Sequence, residues 1–182
     1  MQRVLVIGCP GAGKSTLAAR LASVTGLPLI ALDRVYWHPG WRATAREEWR
    51  GIVAALSERP AWIMDGNYSN TMPERLARAD TVVWLDSPRH LCLCRVIGRT
   101  ARRLGRMHDG LPDGCQERFD LEFLRYVWNF RRRSRPRVLA ALENHGAHIR
   151  LHRLEGDTQA ERLLKELSIE RAQIRDIPAG QA

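Results

Sequence analysis

The chain has 182 residues, a length that suits one domain able to bury a sizeable core. Hydrophobic residues make up 45% of it, which excludes a disordered or fibrous protein, and no apolar run approaches the roughly 20 residues of a membrane-spanning helix. The 29 Lys+Arg against 20 Asp+Glu leave a formal charge of +9, which suits a polyanionic ligand such as a nucleotide, a phosphorylated substrate or a nucleic acid without choosing among them.

The opening, MQRVLVIGCPGAGKS, does not read as a signal peptide, because its apolar run is short and leads straight into a glycine loop. The chain is therefore expected in the cytoplasm. Cys9, Cys92, Cys94 and Cys115 show neither a CxxC pair nor a ligand spacing for zinc, and are expected to be reduced thiols, mostly in the core. Nearly all the cations are arginine; Lys14 and Lys165 are the only lysines.

In chain order, Arg3–Ile7 is an apolar run ending at Gly8, as in a buried parallel strand. A helix is expected from Lys14 to Ser23, then a strand from Pro28 to Leu32 that ends on Asp33. Thr44 and Glu47 have the spacing of a capping box and are expected to open a helix running to about Ser57. Ala61–Met64 is a third strand ending on Asp65. A short helix, Pro73–Ala79, leads to a fourth strand, Thr81–Leu85, ending on Asp86. The next helix starts near Arg89 and is expected to carry Arg95, Arg99, Arg102 and Arg106 along one side. Residues 105–117 read as a loop, and a helix resumes at Asp120 with a kink or restart at Pro136. Ala147–Leu154 is a fifth strand, and Asp157 or Thr158 caps a last helix. Residues 1–170 form the expected domain, with a lid region over about 100–137, and residues 171–182 a polar tail.

Alternating strands and helices imply a three-layer α/β fold with a parallel sheet. Ligands of such sheets bind at the carboxyl ends of the strands, where Asp33, Asp65 and Asp86 fall beside the glycine loop.

That loop, Gly8-Cys9-Pro10-Gly11-Ala12-Gly13-Lys14-Ser15-Thr16, fits the GxxxxGK[ST] phosphate-binding pattern, with a strand before it and a helix after. Its glycines let backbone N–H groups turn inward onto phosphate oxygens, and the helix dipole adds to the field. Lys14 is placed to reach the β- and γ-phosphates of ATP or GTP, Ser15 to bind Mg²⁺, and Thr16 to touch the α-phosphate. Asp65 is the preferred partner for Mg²⁺ or its waters. Asp86 either shares that role or caps the following helix.

Asp33 has three readings: a base that accepts the proton of an attacking hydroxyl, a substrate-binding group, or a turn aspartate. Arg95 and Arg99 lie one helical turn apart, and Arg131, Arg132, Arg133, Arg135 and Arg137 crowd the later helix. They either place charge around a moving phosphoryl group or form a solvated basic face. Trp37, His38, Pro39, Gly40 and Trp41 form an aromatic loop beside Asp33, which either stacks on a substrate ring or walls the core.

These segments together resemble the adenylate-kinase-like P-loop kinases, most closely the bacterial "DNA topology modulation protein" group. The resemblance rests on GCPGAGKST, LDRVYWHPGW, WIMDGNYSNTMPERL, VVWLDSPRHLCLCRVIGR and DLEFLRYVWNFRRRSRPRVL, in order over about residues 1–142. It implies a five-stranded parallel sheet of order 2-3-1-4-5 with a small arginine-rich helical lid. It also implies that Asp65 and Gly66 lie near Mg²⁺ and substrate, that Arg95 and Arg99 open the lid with Arg99 facing ATP, and that one arginine from Arg131 to Arg135 completes it. Where adenylate kinases continue with Phe-Pro-Arg, this chain has Asn67-Tyr68-Ser69, which leaves the phosphoryl acceptor open.

The leading expectation is thus an ATP- and Mg²⁺-dependent kinase for a small nucleoside- or nucleotide-like acceptor held by Asp33, Trp37, Asp65, Gly66 and Tyr68. Lys14, Asp33, Arg99 and Arg131 are its expected catalytic residues. The competing expectation is a nucleotide-dependent, DNA-binding regulator, although no DNA-binding motif is recognisable. A GTPase reading lacks the Asn-Lys-x-Asp base-reading run.

Overall fold

The run RVLVI forms the central strand of a sheet, β1 (Arg3–Gly8), in a computed structural model that describes residues 1–106 and 114–175. There follow α1 (Lys14–Thr25), β2 (Leu29–Ala31), α2 (Leu32–Tyr36), β3 (Trp37–His38), β4 (Arg42–Ala43), α3 (Arg46–Ser57) and β5 (Trp62–Asp65). A 3-10 turn (Ser69–Thr71) enters α4 (Met72–Arg78), then β6 (Thr81–Leu85), α5 (Arg89–Arg103), α6 (Leu121–Arg133), α7 (Arg135–His145), β7 (Arg150–Leu154) and α8 (Asp157–Arg175).

The main sheet has the order β2-β5-β1-β6-β7, and every pairing in it is parallel. With the small β3–β4 hairpin set aside, this is the expected order 2-3-1-4-5. Strand side chains alternate between faces, and the two halves of the core follow that alternation. Val4, Val6, Ile63, Val83 and Leu85 pack against α1, α5, α6 and α8. Leu5, Ile7, Trp62, Met64, Val82 and Trp84 pack against α3, α4 and α7. Each fully buried aliphatic side chain contributes about 1.5–3 kcal/mol, so a strand whose two faces are both covered is worth far more than its ladder alone.

Several local expectations need correction. Thr44 does not cap α3: the N-cap is Ala45, and no side chain caps it. The Thr44 hydroxyl instead donates to the Tyr36 carbonyl at 2.6 Å, because the β3–β4 hairpin brings that acceptor closer than the first turn of the helix. Glu47 and Glu48 still sit in the first turn, where they complement the helix dipole. Asp33 lies in the first turn of α2 rather than at a bare strand end. The Trp37–Trp41 segment consists of β3 and the turn of the β3–β4 hairpin. Helix α5 ends at Arg103, so Arg106 falls in the following turn, off its face. Asp120 does cap α6, accepting from Phe123 N at 3.0 Å, and the helix breaks at Ser134, with Pro136 in the first turn of α7. Helix α8 continues to Arg175, into the segment expected to be a tail. Positions 107–113 of the expected loop and 176–182 of the tail lie outside the described residues.

Candidate nucleotide and acceptor site

Between β1 and α1 the backbone curls through positive φ at Gly8 (148°), Gly11 (83°) and Gly13 (95°). Two of these glycines are also required for space. A Cβ at Gly8 would collide with the Leu85 carbonyl, and one at Gly11 with the Cys92 carbonyl. The curl is closed by Ala12 N donating to Cys9 O at 3.0 Å, and Lys14 Nζ folds back to the same carbonyl at 3.2 Å. Pro10 lies between the two glycines, and Ser15 and Thr16 stand exposed in the first turn of α1. No acidic residue occupies that turn, so the positive end of the helix is left open to an anion.

Asp65 is the last residue of β5, level with Val6 of β1 and Ala31 of β2, and only 7% of its surface is exposed. Burial raises its pKa above the ordinary aspartate value; Lys14 and the Ser15 hydroxyl pull it down, and the Asp33 charge pushes it up. Its Oδ1 is buried without a hydrogen-bond partner. A buried, orphaned carboxylate oxygen between a lysine and a serine hydroxyl is a donor set for a hard cation. Among the described residues no group of three or more His, Cys, Asp or Glu could hold a metal by itself, so such a cation would also need phosphate oxygens or water.

The segment after Asp65 continues this edge of the sheet. Gly66 (φ 141°) turns the chain, and Tyr68 takes a left-handed conformation (φ 35°) that a non-glycine residue seldom adopts without a functional or packing reason. The Tyr68 hydroxyl donates to Asp33 Oδ1 at 2.6 Å. Burial, then the Asp33 charge, raises the tyrosine's pKa, so its proton stays on the phenol. Rings of Tyr36 and Trp49 lie 4.8 Å from that of Tyr68, and Tyr36 leads edge-on to Trp37 and thence to Trp41. Trp49 is wholly buried and walls the core, whereas Trp37 is only partly buried beside Asp33. The hairpin also touches the segment before α6: Trp41 Nε1 donates to Gln116 O at 3.0 Å, and Cys115 lies against His38 O.

The expected arginines are spread along this edge. Arg95 pairs with Asp157 at 2.6 Å, and Arg99 with the buried Glu117 at 2.8 Å. Arg131 lines a narrow cleft with Cys9, Leu85, Asp86, Ser87, Arg89 and Phe130, next to the glycine loop. Asp86 caps no helix: α5 has Pro88 at its N-cap and no side-chain cap. Its carboxylate is instead held by Arg135 at 3.1 Å and Arg153 at 2.7 Å, both of which also lie over the Trp84 ring. Two cations converge on it because α7 and β7 both deliver an arginine to the end of β6.

Three residues of this edge escape the sequence reading. Arg75 is wholly buried in α4 and donates to the carbonyls of Gly66 (2.9 Å), Tyr68 (3.0 Å) and Thr71 (3.2 Å), and also to that of Asn67. Burial lowers its pKa to about 10. Its signal in the sequence is an arginine on the apolar side of a helix, between Met72 and Leu76. Asn67 stands where the resemblance fails, and Glu117 lies in a segment read only as loop.

The whole fold is similar to that of a solved structure, "Shikimate kinase from Acinetobacter baumannii in complex with shikimate". The TM-score is 0.61, with 97% of this chain and 96% of that chain covered at 16% sequence identity. At that identity the likeness shows the fold and no more. No family model matches the sequence, and no curated protein matches it.

Proposed function

We propose that this chain is an ATP-dependent phosphotransferase acting on a hydroxyl of a small nucleoside- or nucleotide-like molecule. The observation that carries the reading is the Asp33–Tyr68 pair, which faces Asp65 and the glycine loop at one end of the sheet. A site that only held a nucleotide would have no use for an oriented carboxylate on the acceptor side.

Lys14 and the backbone N–H groups of Gly11–Thr16 bind the triphosphate and orient its terminal phosphoryl group. Ser15 and Asp65 would hold Mg²⁺, which when bound supplies charge neutralisation at the β- and γ-phosphate oxygens. Asp33 accepts the proton of the acceptor hydroxyl as its oxygen attacks the γ-phosphorus, the bond from that phosphorus to the β–γ bridging oxygen breaks and ADP leaves, and Tyr68 fixes the carboxylate's direction. Trp37 and Gly66 shape the acceptor pocket. Arg99, Arg131 and Arg95 supply positive charge around the transferred group once Arg95 and Arg99 leave their present acidic partners. Closure of the lid over both substrates would exclude water. Reduced thiols and a nucleotide substrate suit a cytoplasmic setting.

The second reading, a nucleotide-switched protein that binds nucleic acid, draws on Arg131, Arg132, Arg133 and Arg137. These are exposed and carry no ion pair among the described residues. The deciding experiment is a phosphate-transfer screen with purified protein, Mg²⁺·ATP and a panel of nucleosides, nucleotides and hydroxylated metabolites, shikimate included. Transfer to one acceptor, abolished by Lys14→Ala, supports the kinase. Salt-sensitive duplex binding at low micromolar protein, with no acceptor phosphorylated, supports the regulator.

A further inference from the structure

Strand β5 ends at Asp65, while β1 runs on to Gly8. Their register ends at Val6–Asp65, and the last backbone bond between them runs from Gly66 N to Val6 O at 3.2 Å. The next rung is made by a side chain. Asn67 Oδ1 accepts from Gly8 N at 3.0 Å, and Asn67 Nδ2 donates to Gly8 O at 2.7 Å. The carboxamide thus stands in for a peptide group and satisfies both backbone groups of the first glycine of the phosphate loop. Gly8 is held there at φ 148° with no room for a Cβ, so the direction of the next peptides depends on this clamp.

The clamp is itself anchored. Arg75 binds the carbonyls of Gly66, Asn67 and Tyr68, which fixes the backbone on both sides of the amide. The next side chain along, Tyr68, holds Asp33.

We infer that Asn67 is a positioning residue that sets the phosphate loop in its nucleotide-binding conformation and ties it to the acceptor aspartate. The inference rests on the proposed nucleotide site. A side chain with both a donor and an acceptor is required, because Gly8 presents one N–H and one C=O to it. Aspartate has the shape of asparagine but no donor, and its charge would face the Gly8 carbonyl and the bound phosphates.

The test measures Mg²⁺·ATP binding by calorimetry and thermal unfolding of the nucleotide-free protein, for the full chain and for Asn67→Asp and Asn67→Ala. Positioning is expected to raise the Kd about tenfold for Asn67→Ala and more for Asn67→Asp, with unfolding midpoints within a few degrees of the parent. If the isosteric Asn67→Asp binds as tightly as the parent, Asn67 only fills space and the inference is overturned. It is equally overturned if both variants lose binding only because they unfold. A parent chain that does not bind Mg²⁺·ATP defeats the nucleotide reading itself, and the inference with it. Parent-like binding by both variants defeats the inference alone.

Discussion

The phenolic oxygen of Tyr68 lies 2.6 Å from Asp33 Oδ1, joining residues 35 positions apart beside the end of β5. Tyr68 adopts φ 35° because Arg75 holds the carbonyls around it, and that turn sends its ring under Tyr36 and its hydroxyl to α2. An aspartate so held has one preferred direction for accepting a proton.

Removing either partner separates their roles. Asp33→Asn keeps the shape but cannot take a proton, and is expected to lower kcat by about 10²–10⁴-fold. Tyr68→Phe keeps the ring packing and loses only the orienting bond, so a loss of roughly ten- to a hundredfold is expected, mostly in kcat. Steady-state kinetics with the acceptor found in the transfer screen checks both. Equal kcat values for Tyr68→Phe and the parent would remove Tyr68 from the mechanism.

Asp65 links acidity to the proposed cation site. Its folded pKa is raised by burial, so the folded state favours the protonated carboxyl more than the unfolded chain does. Stability of the nucleotide-free protein therefore rises, as far as this group is concerned, as pH falls through the raised value towards the unfolded one. Cation binding needs the carboxylate and weakens over the same window. Asp65→Asn is expected to stabilise the nucleotide-free protein at neutral pH while weakening Mg²⁺ binding in the presence of ATP by about tenfold or more. Unfolding curves and Mg²⁺ titrations from pH 5 to 8, set against the parent, give both signs. A stability loss at neutral pH would contradict the desolvation argument.

Arg75 is expected to be among the most sensitive positions in the molecule. Arg75→Met would keep much of the volume but strip the hydrogen bonds from the carbonyls of Gly66, Tyr68 and Thr71 inside the core. A cost of about 3–5 kcal/mol is expected in denaturant unfolding. Arg75→Lys retains the charge but not the planar fork that meets carbonyls from several directions, and should recover less than half of that loss. Full recovery by lysine would mean that charge, rather than geometry, is what the site requires.

Much of the frame was legible because local chemistry governs it. The glycine spacing sets the positive-φ turn between β1 and α1, and apolar runs alternating with helices set the parallel sheet. The errors fell where a nonlocal partner outcompeted a local one. Thr44 has the sequence of a cap, but its hydroxyl is taken by the Tyr36 carbonyl. Asp86 looks like a cap or a ligand until Arg135 and Arg153 arrive from 49 and 67 residues away. Arg75 and Asn67 carry no local signal beyond their types, since their partners are backbone groups whose position depends on the fold.

Glycine spacing, apolar periodicity and the handedness of parallel connections were enough to read a glycine-rich turn between a strand and a helix, a parallel sheet and the edge at which Asp33 and Asp65 meet, whereas the strand order 2-3-1-4-5 came from the family resemblance. The tertiary structure alone decided which polar groups satisfy one another there: Tyr68 with Asp33, Asn67 with Gly8, Arg75 with three neighbouring carbonyls and Asp86 with two arginines. A buried polar group must find a partner, and which partner lies within 3 Å is a property of packed elements rather than of neighbouring residues.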